Sequence, residues 1–253
     1  MCRITAENLS VLNSAWGEMI IVILTCSEKV LVKVFWITVF CILSVNQSLA
    51  DATTAWENAS LSVVSVAPTW PGYDKPGFGS PPGTAPEGTG IVLSENGHIL
   101  TASHVIKKAT QIKIRDISGL EFEAQLLFDD PKTDLAVIQS KFNAKPIMLA
   151  LKPPKIGSAT CLISNSFGLN LSITCGVISS IGRTNVGFNQ IEDFIQTDAA
   201  SNPGSSGGAL INSDGALIGM MSGIFTKNTD TNAGVNFAIS LDLIKKTIPW
   251  LHN

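Results

Sequence analysis

The sequence predicts an all-β protein: two sets of short strands, arranged as barrels or sandwiches, with one short helix at the C-terminal end. Three observations predict it. Short apolar or alternating runs recur from residue 57 to residue 240, each of strand length and each bounded by turn residues. Glycine is frequent, with 21 residues, which suits a fold that must turn often. The runs fall into two sets of similar number, divided near residue 152 by "LKPPKIGS" at 151–158 with its paired prolines. A chain of 253 residues, 45% of them hydrophobic, can build one large core or two small ones. The net charge of −3 provides no basic surface, so nucleic acid is excluded as a partner.

Residues 1–50 read differently from the rest. Lys29 and Lys33 precede an uncharged apolar run at 34–45, and "NQSLA" follows with small residues at Ser48 and Ala50. A basic flank, a short apolar stretch and a small-x-small exit predict a signal peptide cleaved after Ala50. The run falls short of the roughly 20 residues that span a bilayer, so membrane contact is expected only in transit. The expected location is periplasmic or secreted. Residues 1–28 make an over-long preface, which points to a true start downstream of Met1, at Met19 or near Val30 or Leu31.

The first strand is expected at 57–66, "ENASLSVVSV". Residues 68–90 then hold six prolines and six glycines, a composition that reads as a long loop. The first set continues with "GIVLS", "HILTA", "QIKIRD", "EFEAQLLF" and "LAVIQ". The second set comprises "TCLIS", "SITCGVISSIG", "DFIQTD", "GGALI", "GALIGMMSGIF" and "GVNFAIS". The domain boundaries expected are 51–152 and 153–253. The helix follows Ser240, which can cap it; Asp242 suits its first turn, and Lys245 and Lys246 its last. Leu241, Ile244 and Ile248 share one face, and Pro249 should end it.

Three of the five cysteines fall in the leader, leaving Cys161 and Cys175. Both lie seven residues from Gly168, in segments that would flank a turn. A hairpin there sets them opposite each other, where a disulfide is possible in an exported protein. Two buried free thiols are the alternative.

The stretch "NPGSSGG" at 202–208 sets Ser205 and Ser206 among glycines, where almost nothing in the local sequence shields them. A serine hydroxyl becomes a nucleophile only with a base to take its proton and a carboxylate to orient that base. It also needs backbone N–H groups aimed at the developing oxyanion, and glycine permits the conformations that aim them. The chain has three histidines. His252 is near the C-terminus and His98 sits in a turn, whereas His104 follows an apolar strand in "ILTASHVI". Asp134 in "DPKTDLAVIQ" directly precedes another apolar strand. Each is a candidate; each alone also reads as an ordinary structural residue.

Taken together, "TASHV", "DPKTDLAVI" and "QTDAASNPGSSGGAL" resemble the HtrA/Deg branch of the chymotrypsin-like serine proteases, over about residues 57–248. The order His, Asp, Ser is also that of the chymotrypsin fold. The resemblance implies two six-stranded antiparallel β-barrels, a serine endopeptidase acting on unfolded or damaged polypeptides, and no metal or organic cofactor. It implies that Ser206 is the nucleophile, His104 the general base and Asp134 its orienting carboxylate. The N–H groups of Gly204 and Ser206 would form the oxyanion hole. Ser205 takes a position usually filled by Asn or Asp, so activity is expected not to depend on a precisely trimmed N-terminus. Ala200, six residues before the nucleophile, would line the base of the primary pocket, with Asn236 reaching it. Ser222 and Gly223 fall in a strand resembling the one that pairs with substrate backbone. Cleavage is expected after small or medium apolar residues. The sequence runs out after its terminal helix, so the expectation is a protease domain without a PDZ domain. The alternative is a peptide-binding protein on the same scaffold with little turnover.

Overall fold

The computed structural model describes residues 51–73, 85–224 and 233–252. The leader, the expected signal peptide and residues 74–84 of the Pro/Gly-rich stretch lie outside the described residues. Among the described residues, twelve strands close into two antiparallel barrels.

The first barrel comprises β1 (Val63–Thr69), β2 (Gly88–Val92), β3 (His98–Ala102), β4 (Gln111–Arg115), β5 (Glu121–Asp130) and β6 (Leu135–Ser140). Its order is β1-β2-β3-β6-β5-β4, closed by pairing of β1 with β4. The second comprises β7 (Ala159–Ser164), β8 (Ser172–Arg183), β9 (Phe194–Thr197), β10 (Ala209–Ile211), β11 (Leu217–Ile224) and β12 (Asn236–Ser240). It repeats the topology as β7-β8-β9-β12-β11-β10. Closure pairs every strand on both sides, but β10 pairs β11 only between Leu217 and Met220, so the last residues of β11 have no β10 partner on that side.

Alternation drives the register. In β4, Ile112 and Ile114 point inward while Gln111 is exposed. Val64, Val66, Ile91, Ile99, Ile114 and Ile138 are fully buried in one core, and Leu162, Ile178 and Leu210 in the other. Burying each such aliphatic side chain contributes about 1.5–3 kcal/mol, before conformational entropy is subtracted.

The amino-terminal edge differs from the expected strand at 57–66. Helix α1 (Asp51–Ala59) and a 3-10 turn at Ser60–Ser62 precede the strand, which starts at Val63. Ala55 and Ala59, four residues apart, are fully buried, and Asn58 Nδ2 donates to the Asp214 carbonyl at 3.0 Å. Tertiary packing thus holds as helix a stretch whose own pattern was weak. The Pro/Gly-rich window is also not all loop. Pro68 lies within β1, and Gly88 and Gly90 within β2. Strand β2 pairs only with Val63–Val66, so Pro68 sits where β1 has one neighbour and a missing N–H is tolerated.

Helix α2 (Ser103–Ile106) is a single turn after β3, and α3 (Leu241–Thr247) ends the second barrel. The Ser240 hydroxyl accepts the Leu243 N–H at 3.1 Å and so caps α3. Leu241, Ile244 and Ile248 are all buried. Cys161 and Cys175 are direct partners in the β7–β8 register and are disulfide-bonded.

Candidate active site

Strand β3 delivers His104 into α2, and the turn before β6 delivers Asp134. Asp134 adopts φ +62°, a left-handed conformation that aspartate tolerates better than most residues. That turn lets Asp134 engage the first two residues of α2. Its carbonyl accepts the Ser103 N–H at 3.1 Å, and its Oδ1 accepts the His104 N–H at 3.0 Å. The same carboxylate flanks His104 Nδ1, with Oδ1 at 3.0 Å and Oδ2 at 2.9 Å. A nitrogen facing two carboxylate oxygens carries the proton, which leaves Nε2 as the acceptor. Nε2 lies 2.9 Å from Ser206 Oγ. Asp134 is buried, while half of the His104 side chain remains open to solvent.

Ser206 lies in the loop between β9 and β10. Glycine is required at Gly204, where φ is +96° and a Cβ would stand 2.3 Å from the Asn165 carbonyl oxygen. It is required again at Gly207, where a Cβ would stand 2.0 Å from the Thr89 carbonyl oxygen. The loop is bonded on its outer side. Pro203 O accepts the Phe167 N–H at 2.6 Å, Gly204 O accepts the Thr89 hydroxyl at 2.8 Å, and Ser206 O accepts the Thr89 N–H at 2.8 Å. A trans peptide points its N–H opposite to its carbonyl, so fixing Pro203 O outward turns the Gly204 N–H away from Phe167. Neither the Gly204 nor the Ser206 N–H meets an acceptor among the described residues.

The two neighbouring serines differ sharply, against the expectation that both stand unshielded. Ser205 is fully buried. Its hydroxyl meets Ser164 Oγ at 3.0 Å and Ser166 Oγ at 2.9 Å, and accepts the Asn202 N–H at 3.1 Å. The glycines let the loop fold tightly enough to send one hydroxyl inward and the other toward His104.

Around this centre, the Ser222 hydroxyl donates to Asp134 Oδ2 at 2.6 Å, and its carbonyl lies 3.5 Å from Ser206 Oγ. Gly223 lies under the Phe188 ring, with three ring carbons 3.5 Å from where a Cβ would be. His104, Asp134, Phe188, Asn189, Ser222 and Gly223 line an open cleft of about 390 Å³. The expected pocket residues Ala200 and Asn236 are not among those lining this cleft: Ala200 is half-buried, and the carbonyl of the preceding Ala199 accepts Asn236 Nδ2 at 2.8 Å. Asn236 also donates to Thr197 O at 3.3 Å and is fully buried. A separate cavity of about 250 Å³, behind Leu151, Pro153 and the start of α3, shares no residue with this cleft. Among the described residues, no group of three or more His, Cys, Asp and Glu is placed to hold a metal ion.

Several contributors were not legible in the sequence. Thr89, Asn165, Phe167 and Ser164 support the Ser206 loop from other elements, and none stands in a recognisable motif. Glu192 is another. Its carboxylate accepts the N–H groups of Val186, Gly187, Phe188 and Asn189 at 2.7–3.1 Å, shaping the loop that presents Phe188 and Asn189 to the cleft. Burial pushes the Glu192 carboxyl upward, but these four donors outweigh it and hold it below the usual glutamate range. The clue was the spacing of Glu192 behind Gly187, a turn-plus-acceptor pattern too common to single out.

The trypsin-like peptidase domain family matches residues 88–220 of the chain. A "Probable periplasmic serine endoprotease DegP-like" of Chlamydia muridarum is 40% identical over 169 residues, covering 66% of this chain and 34% of the relative. The "Periplasmic serine endoprotease DegP" of Escherichia coli K12 is 38% identical over 162 residues, covering 62% and 34%. The chain thus spans about a third of the length of the curated relatives it matches. Among solved structures, an "HtrA-type protease AlgWS227A with tripeptide" superposes with a TM-score of 0.70 at 35% identity, covering 78% of this chain and 62% of that one. A serine endoprotease from Yersinia pestis superposes with a TM-score of 0.64 at 34% identity, covering 79% and 66%.

Proposed function

The chain belongs to the trypsin-like peptidase family, and we propose that it is an exported serine endopeptidase with Ser206 as nucleophile, His104 as general base and Asp134 as orienting carboxylate. The observation that carries this reading is the continuous chain from Asp134 through His104 to Ser206, 2.9 Å at each closest step, beside two N–H groups with no internal acceptor. His104 Nε2 takes the Ser206 proton as Oγ attacks the scissile carbonyl. The carbonyl oxygen becomes an anion that the Gly204 and Ser206 N–H groups stabilise, and Nε2 then returns the proton to the leaving amine. Water, activated by the same imidazole, hydrolyses the resulting ester. Asp134 fixes the tautomer and stabilises the imidazolium; the Ser222 hydroxyl fixes the carboxylate.

Substrate enters as an extended strand along Ser222 and Gly223, at the open end of β11, which requires an unfolded segment. Unfolded or damaged polypeptides are therefore the substrate class. Ala200 and Asn236 are our assignment for the primary pocket by family resemblance, Asn236 being fully buried with its Nδ2 bonded to Thr197 O and Ala199 O. Neither offers a negative charge to an Arg or Lys side chain, whose unpaired burial costs several kcal/mol, on the order of 3–5. Cleavage after Val or Ala is accordingly faster than after Arg. The names of the matched relatives support export to the periplasm.

The test is covalent labelling of the purified protein by a fluorophosphonate, with Ser206→Ala as control and a Val-containing peptide as substrate. Labelling and turnover that vanish in Ser206→Ala are the expected result. Peptide binding without labelling or turnover would establish a binding protein on this scaffold instead.

A further inference from the structure

The segment just after β7 forms the wall against which the Ser206 loop is set. Asn165 is fully buried there. Its N–H donates to Thr89 Oγ1 at 3.0 Å, and its carbonyl accepts the Gly168 N–H at 3.2 Å. Phe167, two residues on, adopts φ +59° and supplies the N–H that holds Pro203 O at 2.6 Å. The contact that fixes the 203–204 peptide, Phe167 N–H to Pro203 O, therefore depends on where residues 165–168 sit, while Thr89 holds Gly204 O and Ser206 O from the first barrel. The Asn165 side chain has one anchor: Nδ2 donates to Glu87 Oε2 at 2.6 Å, while Oδ1 is buried without a partner among the described residues.

Glu87 belongs to the other barrel, immediately before β2. Its carboxylate is gripped in a fork by Arg115 of β4, with Nη1 donating to Oε1 at 3.0 Å and Nη2 to Oε2 at 2.6 Å. Both side chains are less than a fifth exposed, at 18% and 19%. A bidentate guanidinium fixes the direction of a carboxylate, and a charged acceptor makes the shorter, stronger hydrogen bond. Structure alone would be served by the Arg115–Glu87 pair. The second use of Oε2, toward a buried amide next to the oxyanion loop, is what that pair does not need.

We propose that Glu87 is a positioning residue: its hydrogen bond to Asn165 clasps the oxyanion-hole wall of the second barrel to Arg115 of the first, keeping the Gly204 N–H aimed at the cleft. The inference rests on the endopeptidase reading. Without the clasp, Phe167 N–H drifts from Pro203 O, the 203–204 peptide is free to rotate, and the oxyanion loses a donor. Substrate still binds along β11, so the loss falls on turnover rather than on binding.

The experiment compares the full chain with Glu87→Ala and Glu87→Gln. It measures kcat, KM, inhibition by a peptide boronic acid, and hydrogen exchange of residues 165–168 and 203–206. The expected result for Glu87→Ala is a fall in kcat of about 10- to 100-fold, the span of one charge-assisted hydrogen bond, with KM within about two-fold. Affinity for the boronic acid, which places a tetrahedral oxygen in the hole, should fall in parallel. Glu87→Gln keeps an acceptor oxygen for Asn165 and should recover part of the loss; it also serves where Glu87→Ala does not fold. A lowered melting temperature with kcat and boronate affinity unchanged would overturn the clasp, as would a loss borne equally by KM. Hydrogen exchange separates the two readings. Failure of the wild type to label with fluorophosphonate overturns the peptidase reading, whereas exchange at 165–168 unaltered by Glu87→Ala overturns the clasp in either case.

Discussion

Asp134 illustrates how much one residue can carry. It accepts from a backbone N–H, an imidazole and a hydroxyl, and it does so from a left-handed backbone. Such strain persists where the surroundings over-determine it, and here four hydrogen bonds through its carboxylate and one through its carbonyl do so. Asp134→Asn keeps the shape but offers an N–H where the imidazole also presents one. The wrong tautomer of His104 follows, and kcat should drop by about 10⁴, measured on a peptide substrate. Gly204→Ala tests the backbone instead. Its methyl group would meet Asn165 O, forcing the 203–204 peptide to move, and kcat should fall by about 10²–10³ as one oxyanion donor is lost.

At the scale of elements, two short segments are each tied by a single local device. The loop between β8 and β9 is wrapped on the Glu192 carboxylate, whose pKa is held below its ordinary value by four N–H donors. A depressed acid contributes order that is full above the ordinary glutamate value and is lost as pH falls through the folded one. Peptide binding to Ser206→Ala, followed by calorimetry, should therefore weaken as pH drops below about 4.3. Glu192→Gln should weaken it at neutral pH as well. The β7–β8 hairpin is the other case. Its disulfide closes a loop with a sequence separation of 14, so Cys161→Ser with Cys175→Ser should cost about 3 kcal/mol in urea unfolding.

For the whole molecule, the question is how two separate barrels hold one site. Thr89 on β2 spans the gap: its N–H reaches Ser206 O, its hydroxyl donates to Gly204 O, and it accepts from Asn165 N–H. Its own carbonyl is tied to the Thr101 hydroxyl at 2.7 Å, within the first barrel. Thr89→Val keeps the volume but strands two buried backbone groups. Each unsatisfied group costs about 1–3 kcal/mol, so urea unfolding should show a loss of that order. Since the same groups set the oxyanion loop, turnover should fall as well.

Much of this was legible before any fold was seen. Alternating and apolar runs gave strands within a few residues of their observed ends, because burial of one barrel face repeats every second residue. The exceptions were α1, where local pattern was weak and packing of Ala55 and Ala59 decided, and Pro68, tolerated because β1 has only one neighbour there. Side-chain chemistry made His104, Asp134 and the two serines candidates, and the resemblance of three short motifs to a known family singled out His104, Asp134 and Ser206. What tertiary structure alone decided is distance and direction across the cleft between the barrels. Ser205 turned inward to Ser164 and Ser166, Ser222 turned to Asp134, and Glu87 reached a buried amide 78 residues away. Such contacts leave no periodic trace in a sequence, since a hydrogen bond depends on where two chain segments meet and not on their separation along the chain.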